Sequence, residues 1–359
     1  MNLITWPKVV IAVVILSLQL TIKAEGDFQL LVDDGPYIDI QQTQYVAHWL
    51  CKNKRYTQPF SVNESITSKH CSLPSVNVHS LMQNNISYSG DFSVAAMSDF
   101  HGQYQLTLDI LRNSNIIDQN NNWAFGNGHF VITGDIFDRG DKVTELLWFV
   151  YHLEKQAELA GGKVHLLLGN HEVMVLNGDL RYLHPKYQKV SELLNRPFEQ
   201  LFTPNTVLGQ WLRNKPVLVK INDMLFAHGG FHPNLAKEAR SLEDINNVFK
   251  QSLVKRELAT PRSGWAKQLH ETNGPIWYRG YFKDNGANEQ EIDLLLKHFD
   301  IDHIIVGHTS FAQIETRFQG KVIAIDSSIK KGKYGELLLI DNRQMYRITK
   351  AGQRQPLQQ

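Results

Sequence analysis

Short apolar runs that stop abruptly on glycine and polar residues recur along this chain. They include "FSVAAMSD" (92–99), "HFVITGD" (129–135), "KVHLLLGN" (163–170), "PVLVKINDMLFAHGG" (216–230), "IDHIIVGHT" (301–309), "KVIAIDSS" (321–328) and "GELLLID" (335–341). Runs of this length bounded by glycine read as buried strands. Between them, "QLTLDILRNS" (105–114) has helical spacing, and "KVTELLWFVYHLEKQAEL" (142–159) is a long amphipathic helix closed by Gly161 and Gly162. Strand–helix alternation implies βαβ units around a largely buried sheet. Residues 173–216 interrupt it and read as a cap-like helical insertion.

The ends differ in texture. Residues 25–90 are polar, and "QYVAHWL" and "RYTQPFSV" flank "CKNK" as a hairpin. This reads as an N-terminal appendage on a catalytic domain over 91–345, with a tail at 346–359. At the start, Lys8 precedes an apolar run from Val9 to Leu20, and Ile22 and Ala24 suit a signal-peptidase site. The run is short for a membrane span, which needs about 20 apolar residues. Residues 1–24 therefore read as an export signal, with a retained anchor as the alternative, and the mature protein as periplasmic or secreted.

Composition adds bounds. With 42% hydrophobic and 20% charged residues, a sizeable core is available. The net charge of +1 gives no sign of nucleic-acid binding. Loss of Lys8 and Lys23 leaves 35 cations against 36 acids, or −1, so stable membrane anchoring after cleavage is not expected. Oligomeric state is read as monomer. Cys51 and Cys71 form a disulfide in an oxidising compartment or remain two buried thiols.

Five strand ends carry metal-competent side chains: Asp99 and His101; Asp135, followed by Asp138 and Arg139; Asn170 and His171; His228; and His308. In α/β sheets ligands bind beyond the carboxyl ends of strands, so these groups are expected to converge. Oxygen and nitrogen donors without sulfur suit Zn, Fe or Mn. The set is too large for one catalytic metal, and it fits two divalent ions sharing a carboxylate about 3.5–4 Å apart.

The motifs "DFHG", "GDIFDRG", "GNHE", "HGG" and "GHT" resemble the calcineurin-like metallophosphoesterases of the phosphoprotein phosphatase type. "DGPYI", "SDFHGQY", "GDLRYL" and "GPIWYRGY" resemble the Shewanella-like protein phosphatases and their bacterial tyrosine-phosphatase branch. The resemblance implies an α/β fold with a β-sandwich flanked by helices. It implies one metal on Asp99, His101 and Asp135, and a second on Asp135, Asn170, His228 and His308. Arg139 would bind phosphate, with Arg279 as a second clamp, and His171 would donate a proton while Asp138 orients it. Ser98 stands where many relatives have glycine, and is expected to tighten the first turn slightly.

The implied reaction is direct attack of a metal-bridging hydroxide on a phosphomonoester of a phosphorylated protein or peptide, chiefly phosphotyrosine. Alternatives are a nucleotide or dinucleoside-polyphosphate hydrolase on the same core, and a non-catalytic metal-binding module. Asp138 is otherwise a turn former, and Arg279 a cation stacked on Trp277 or Tyr278. Glu172 is expected to support the ligands without joining them. Phe100, Phe137, Tyr104 and Tyr278 flank the motifs, and either rim the cleft or point into the core.

Overall fold

The computed structural model describes residues 31–357, except 43, 63, 83 and 84. The expected signal peptide lies outside them. β1 (Asp34–Gln41), β2 (Gln44–Cys51) and β3 (Lys54–Phe60) form an antiparallel sheet. The hairpin expected over "CKNK" is β2–β3, with Cys51 opposite Lys54. Cys51 and Cys71 are joined by a disulfide. β4 (Ser65–Ile66) pairs with β5 (Val76–Asn77).

The remaining strands build a β-sandwich. They are β6 (Ser87–Tyr88), β7 (Val94–Met97), β8 (His129–Ile132), β9 (Lys163–Leu166), β10 (Leu218–Ile221), β11 (Met224–Ala227), β12 (His303–Val306), β13 (Glu315–Arg317), β14 (Val322–Ala324), β15 (Glu336–Asp341), β16 (Gln344–Thr349) and β17 (Arg354–Pro356). One sheet runs β13-β14-β12-β11-β10-β6 and the other β17-β16-β15-β7-β8-β9. Alternate side chains explain the architecture. Val94, Ala96, Val131, Phe226, Ile305 and Ile323 fill the layer between the sheets. Their chain neighbours Ala95, Met97, Phe130, Ile132, Ala227 and Val306 belong to the core on the outer faces. Each Val or Ile so enclosed contributes about 1.5–3 kcal/mol.

α1 (Tyr104–Asn113) and α2 (Val143–Leu159) cross between strands of the second sheet. The 173–216 stretch holds the rest of α3 (Asn170–Leu176), then α4 (Pro185–Leu194) and α5 (Val207–Arg213). It clasps β1: the Ile40 N–H donates to the Asn205 carbonyl at 2.8 Å, and Arg196 donates to Asp39 at 2.8 Å.

One expectation needs correction. Over the described residues 346–357 the chain is not a tail, because β16 and β17 extend the second sheet beside β15. Met345 and Ile348 are buried there, but the alternation is too brief to read in sequence. The largely buried sheet read from strand–helix alternation is two sheets face to face, the β-sandwich that the resemblance implies. Helices α6 (Asn234–Lys237), α7 (Leu242–Gln251), α8 (Gly264–Leu269) and α9 (Glu289–Phe299) fill a stretch that the sequence pattern left unassigned. From Val32 onward the chain packs as one compact unit.

Candidate metal centre

The strands that end in metal-competent groups run parallel within each sheet: β7, β8 and β9 in one, β11 and β12 in the other. Their carboxyl ends therefore meet at one edge of the sandwich. Backbone geometry there is unusual. Asp99, His101, Asp135, Asp138, Arg139 and His308 all have positive φ, between 45° and 69°. Each such non-glycine residue costs about 1–3 kcal/mol, a strain that concentrates at functional sites. Close approach is needed as well: a Cβ on Gly169 would lie 2.3 Å from Asp135 Oδ1.

Asp135 is the centre of the cluster. His101 Nε2 lies 3.6 Å from its Oδ2, and His228 Nε2 lies 3.2 Å from it. His101 Nε2 is also 3.7 Å from Asp99 Oδ1. Asn170 Oδ1 and His308 Nδ1 approach His228 Nε2 to 2.9 and 3.1 Å. Two groups of buried donors can each hold a metal ion, His101–Asp135–His171 and Asp135–His228–His308, and Asp135 belongs to both.

Tautomers fit a cation. His101 Nδ1 donates to the Phe137 carbonyl at 2.7 Å, and His228 Nδ1 to the Thr133 carbonyl at 2.8 Å. A carbonyl can only accept, so each Nδ1 carries hydrogen and each Nε2 presents its lone pair. His101 Nε2 is buried without a hydrogen-bond partner. Around His228 Nε2, an amide oxygen, an imidazole nitrogen and a carboxylate oxygen converge, which requires a proton or a metal between them. Without a metal the proton is held locally. Burial pulls the His228 imidazole down, but the Asp135 carboxylate outweighs it and raises it to about 9. His308 goes the other way, to about 2, through burial and the neighbouring His228 and Arg279 charges. The donor set fits divalent cations.

Further side chains surround this centre. His171 Nδ1 donates to Asp138 Oδ2 at 2.5 Å, leaving Nε2 toward the cluster, 3.9 Å from Asp135. Burial lowers the His171 pKa, but the Asp135 charge and the Asp138 bond prevail and raise it. Asp138 is fully buried and bonded to His171, so it is more than a turn former. Arg139 is exposed, with Nη2 3.5 Å from His171 Nε2. Arg279, also exposed, reaches His308, with Nη2 3.5 Å from Nδ1 and 3.4 Å from the carbonyl, and does not stack on Trp277 or Tyr278. Neither arginine has an acid partner among the described residues. Glu172 gathers the N–H groups of Asp135, Ile136, Phe137 and Gly169 at 2.8, 2.7, 3.4 and 2.8 Å. It ties the Asp135 turn to the start of α3.

Of the two alternatives the sequence left for the aromatic residues, rim or core, the structure shows the core. Phe100 and Phe137 are fully buried, and Phe137 packs on Phe198 and Phe202. Tyr278 is buried and Tyr104 packs on Phe149. The rings beside the centre belong to Tyr182, 5.3 Å from the His171 ring, and Trp277, 5.6 Å from the His308 ring. Both lie inside motifs the sequence displays, "GDLRYL" and "GPIWYRGY".

A β-sandwich edge that gathers carboxylates, imidazoles and an amide around one aspartate, with guanidinium groups at its rim that have no acid partner among the described residues, is the site of a metal-dependent phosphoesterase. The chain belongs to the calcineurin-like metallophosphoesterase family: residues 92–310 match the profile described as "Calcineurin-like phosphoesterase". It is 30% identical over 254 residues to an uncharacterized protein of Schizosaccharomyces pombe, covering 68% of this chain and 75% of that one. It is 28% identical over 232 residues to Shewanella-like protein phosphatase 1 of Plasmodium berghei, spanning 63% of each. The crystal structure of a cold-active protein-tyrosine phosphatase of a psychrophilic Shewanella species superposes with a TM-score of 0.86 at 44% identity, covering 91% of this chain and 100% of that one. This protein is a metal-dependent phosphatase.

Proposed function

We propose that the protein is a binuclear-metal phosphomonoesterase that dephosphorylates proteins at phosphotyrosine. The observation that carries the binuclear reading is the membership of Asp135 in both donor groups. Asp99, His101 and Asp135 would hold one cation, with His171 of the first donor group kept for the proton, and Asp135, Asn170, His228 and His308 would hold the other, with Zn, Fe or Mn suited to these donors. When bound, two such cations supply Lewis acidity and a water whose pKa is lowered toward neutrality. Arg139 and Arg279 match phosphate oxygens with planar, always-charged forks. His171 gives its Nε2 proton to the leaving oxygen, and Asp138 fixes the ring and favours the protonated form. The phosphotyrosine reading is supported by the 44% identity to the cold-active protein-tyrosine phosphatase.

The protein is also proposed to be exported. The Cys51–Cys71 disulfide supports an oxidising compartment. No helix among the described residues is long and apolar enough to cross a membrane.

The test is metal analysis of the purified protein beside a panel of phosphotyrosine peptides, phosphoserine peptides and dinucleoside tetraphosphates. Two metals per chain and preferred turnover of phosphotyrosine are expected. Asp135→Asn should lose metal and turnover together. An Asp135→Asn variant that keeps two metals and normal turnover overturns the binuclear assignment, and preferred cleavage of dinucleoside tetraphosphates overturns the substrate.

A further inference from the structure

His171 fixes where a leaving group lies. Its Nδ1 is committed to Asp138 at 2.5 Å, so only Nε2 is free to give up a proton. As the phosphorus–oxygen bond breaks, its electron pair stays on the leaving oxygen, which takes that proton, while water oxygen forms the new bond to phosphorus. The rest of the leaving group extends from this oxygen, past His171 and outward.

Tyr182 stands there. Its ring centre is 5.3 Å from that of His171, and the residue is 43% exposed. The Tyr182 carbonyl accepts the Arg139 backbone N–H at 3.0 Å, and the Arg139 guanidinium sits 4.9 Å from the ring centre. The ring is thus attached to the phosphate-side arginine and the proton donor at once. Arg181 also approaches it, at 5.7 Å, but is held by both oxygens of Asp179 at 2.8 Å. An exposed tyrosine held beside an acid is suited to a flat aromatic partner, because ring pairs gain from stacked or edge-to-face contact beyond simple burial.

We infer that Tyr182 selects an aromatic leaving group, so that the ring of a phosphotyrosine substrate packs on the exposed flank of Tyr182 as its oxygen meets His171. This rests on the reading of His171 as proton donor. Trp277 lies beside His308, a member of the second donor group, and is not the selecting ring. A tyrosine that merely supports Arg139 affects all phosphate esters alike, whereas a selecting ring affects aryl esters alone.

The experiment compares Tyr182→Leu and Tyr182→Phe with the wild-type metal-loaded enzyme on matched phosphotyrosine and phosphoserine peptides. The ratio of kcat/KM for phosphotyrosine over phosphoserine should fall roughly 2- to 13-fold in Tyr182→Leu and hold in Tyr182→Phe, the range expected for one aromatic pair. Calorimetric binding of peptides carrying phosphonomethylphenylalanine or the phosphonate analogue of phosphoserine should show the same shift in the ratio of Kd values. A parallel loss for both substrates overturns the inference and leaves Tyr182 as a support for Arg139. So does an equal loss of selectivity in Tyr182→Phe. A wild-type enzyme that turns over neither peptide defeats the phosphoprotein-substrate reading instead, and the phosphonate ratio still decides the role of Tyr182.

Discussion

Ser98 shows what a single hydroxyl does here. Its Oγ–H donates to Asp99 Oδ2 at 2.5 Å and accepts from Thr133 Oγ1 at 2.7 Å. Gly307 seals the position, since a Cβ there would lie 1.9 Å from Ser98 Oγ. The sequence suggested only a tighter turn; the structure shows a bond that orients a candidate ligand carboxylate. Ser98→Ala keeps the shape and removes the bond. Groups that orient ligands are worth about 10- to 100-fold in metal affinity, so a loss of that size is expected in a metal titration, with the metal-free melting curve little changed. Unchanged affinity would show that Asp99 needs no such support. The other groups of the centre were legible because each closes its own apolar run. The sequence left the aromatic residues open between rim and core, and the structure buries Phe100 fully between two residues that face the cluster.

Elements far apart in sequence hold the Asp138–Arg139 turn in place. Lys186 on α4 donates to the Asp141 carbonyl at 2.7 Å and lies 3.3 Å from Asp34 Oδ1 on β1 and 3.5 Å from Glu145 Oε1 on α2. Its side chain is 8% exposed and that of Asp34 is fully buried. Tyr37 adds its hydroxyl to Asp34 Oδ2 at 2.6 Å. Removing one partner of a buried pair leaves an uncompensated charge and costs about 3–5 kcal/mol. Lys186→Met should lower the unfolding free energy in urea by that amount, and adding Asp34→Asn should recover part of it. A loss below about 1 kcal/mol would mean that water, and not Lys186, satisfies Asp34. None of this was legible, because charges about 150 positions apart carry no shared pattern. Helices α7 and α9 did carry signals, a Ser241 cap and an Asn288–Glu291 capping box, but in a polar stretch away from the strand–helix alternation. The strands themselves were readable, yet "VAAM" and "HFVI" are apolar at every position except His129. Such strands are covered on both faces, so the period that would reveal two sheets instead of one is missing.

At the scale of the whole molecule, burial of neutral histidines away from the metal centre sets how the protein responds to acid. His129 and His165, on neighbouring strands of the second sheet, are 7% and 6% exposed, with ring nitrogens 3.0 Å apart. Burial, then the Lys163 charge, lowers His129 to about 4, and burial with the His129 and Lys163 charges takes His165 well below its usual value. Burial also lowers His152 to about 4 and His270 to about 3. Unfolded histidines titrate near 6.5, so between pH 6 and 5 the unfolded chain holds protons that these four folded residues refuse. The stability these four residues contribute therefore falls as pH falls through that window, by up to about 1.4 kcal/mol per pH unit for each of His129 and His165, while Asp326, raised to about 6 by burial and the Asp99 charge, works in the opposite direction. His171 and His228, raised in the metal-free fold, are charged in both states there and add almost no slope, whereas His308, held at about 2 in that fold, adds to the decline. Melting curves of the metal-free protein should move to lower temperature from pH 6 to pH 5. His129→Phe, which keeps a flat ring against Phe92 at 3.8 Å, should make that decline shallower. The same decline in wild type and His129→Phe would show that the His129–His165 pair does not carry it.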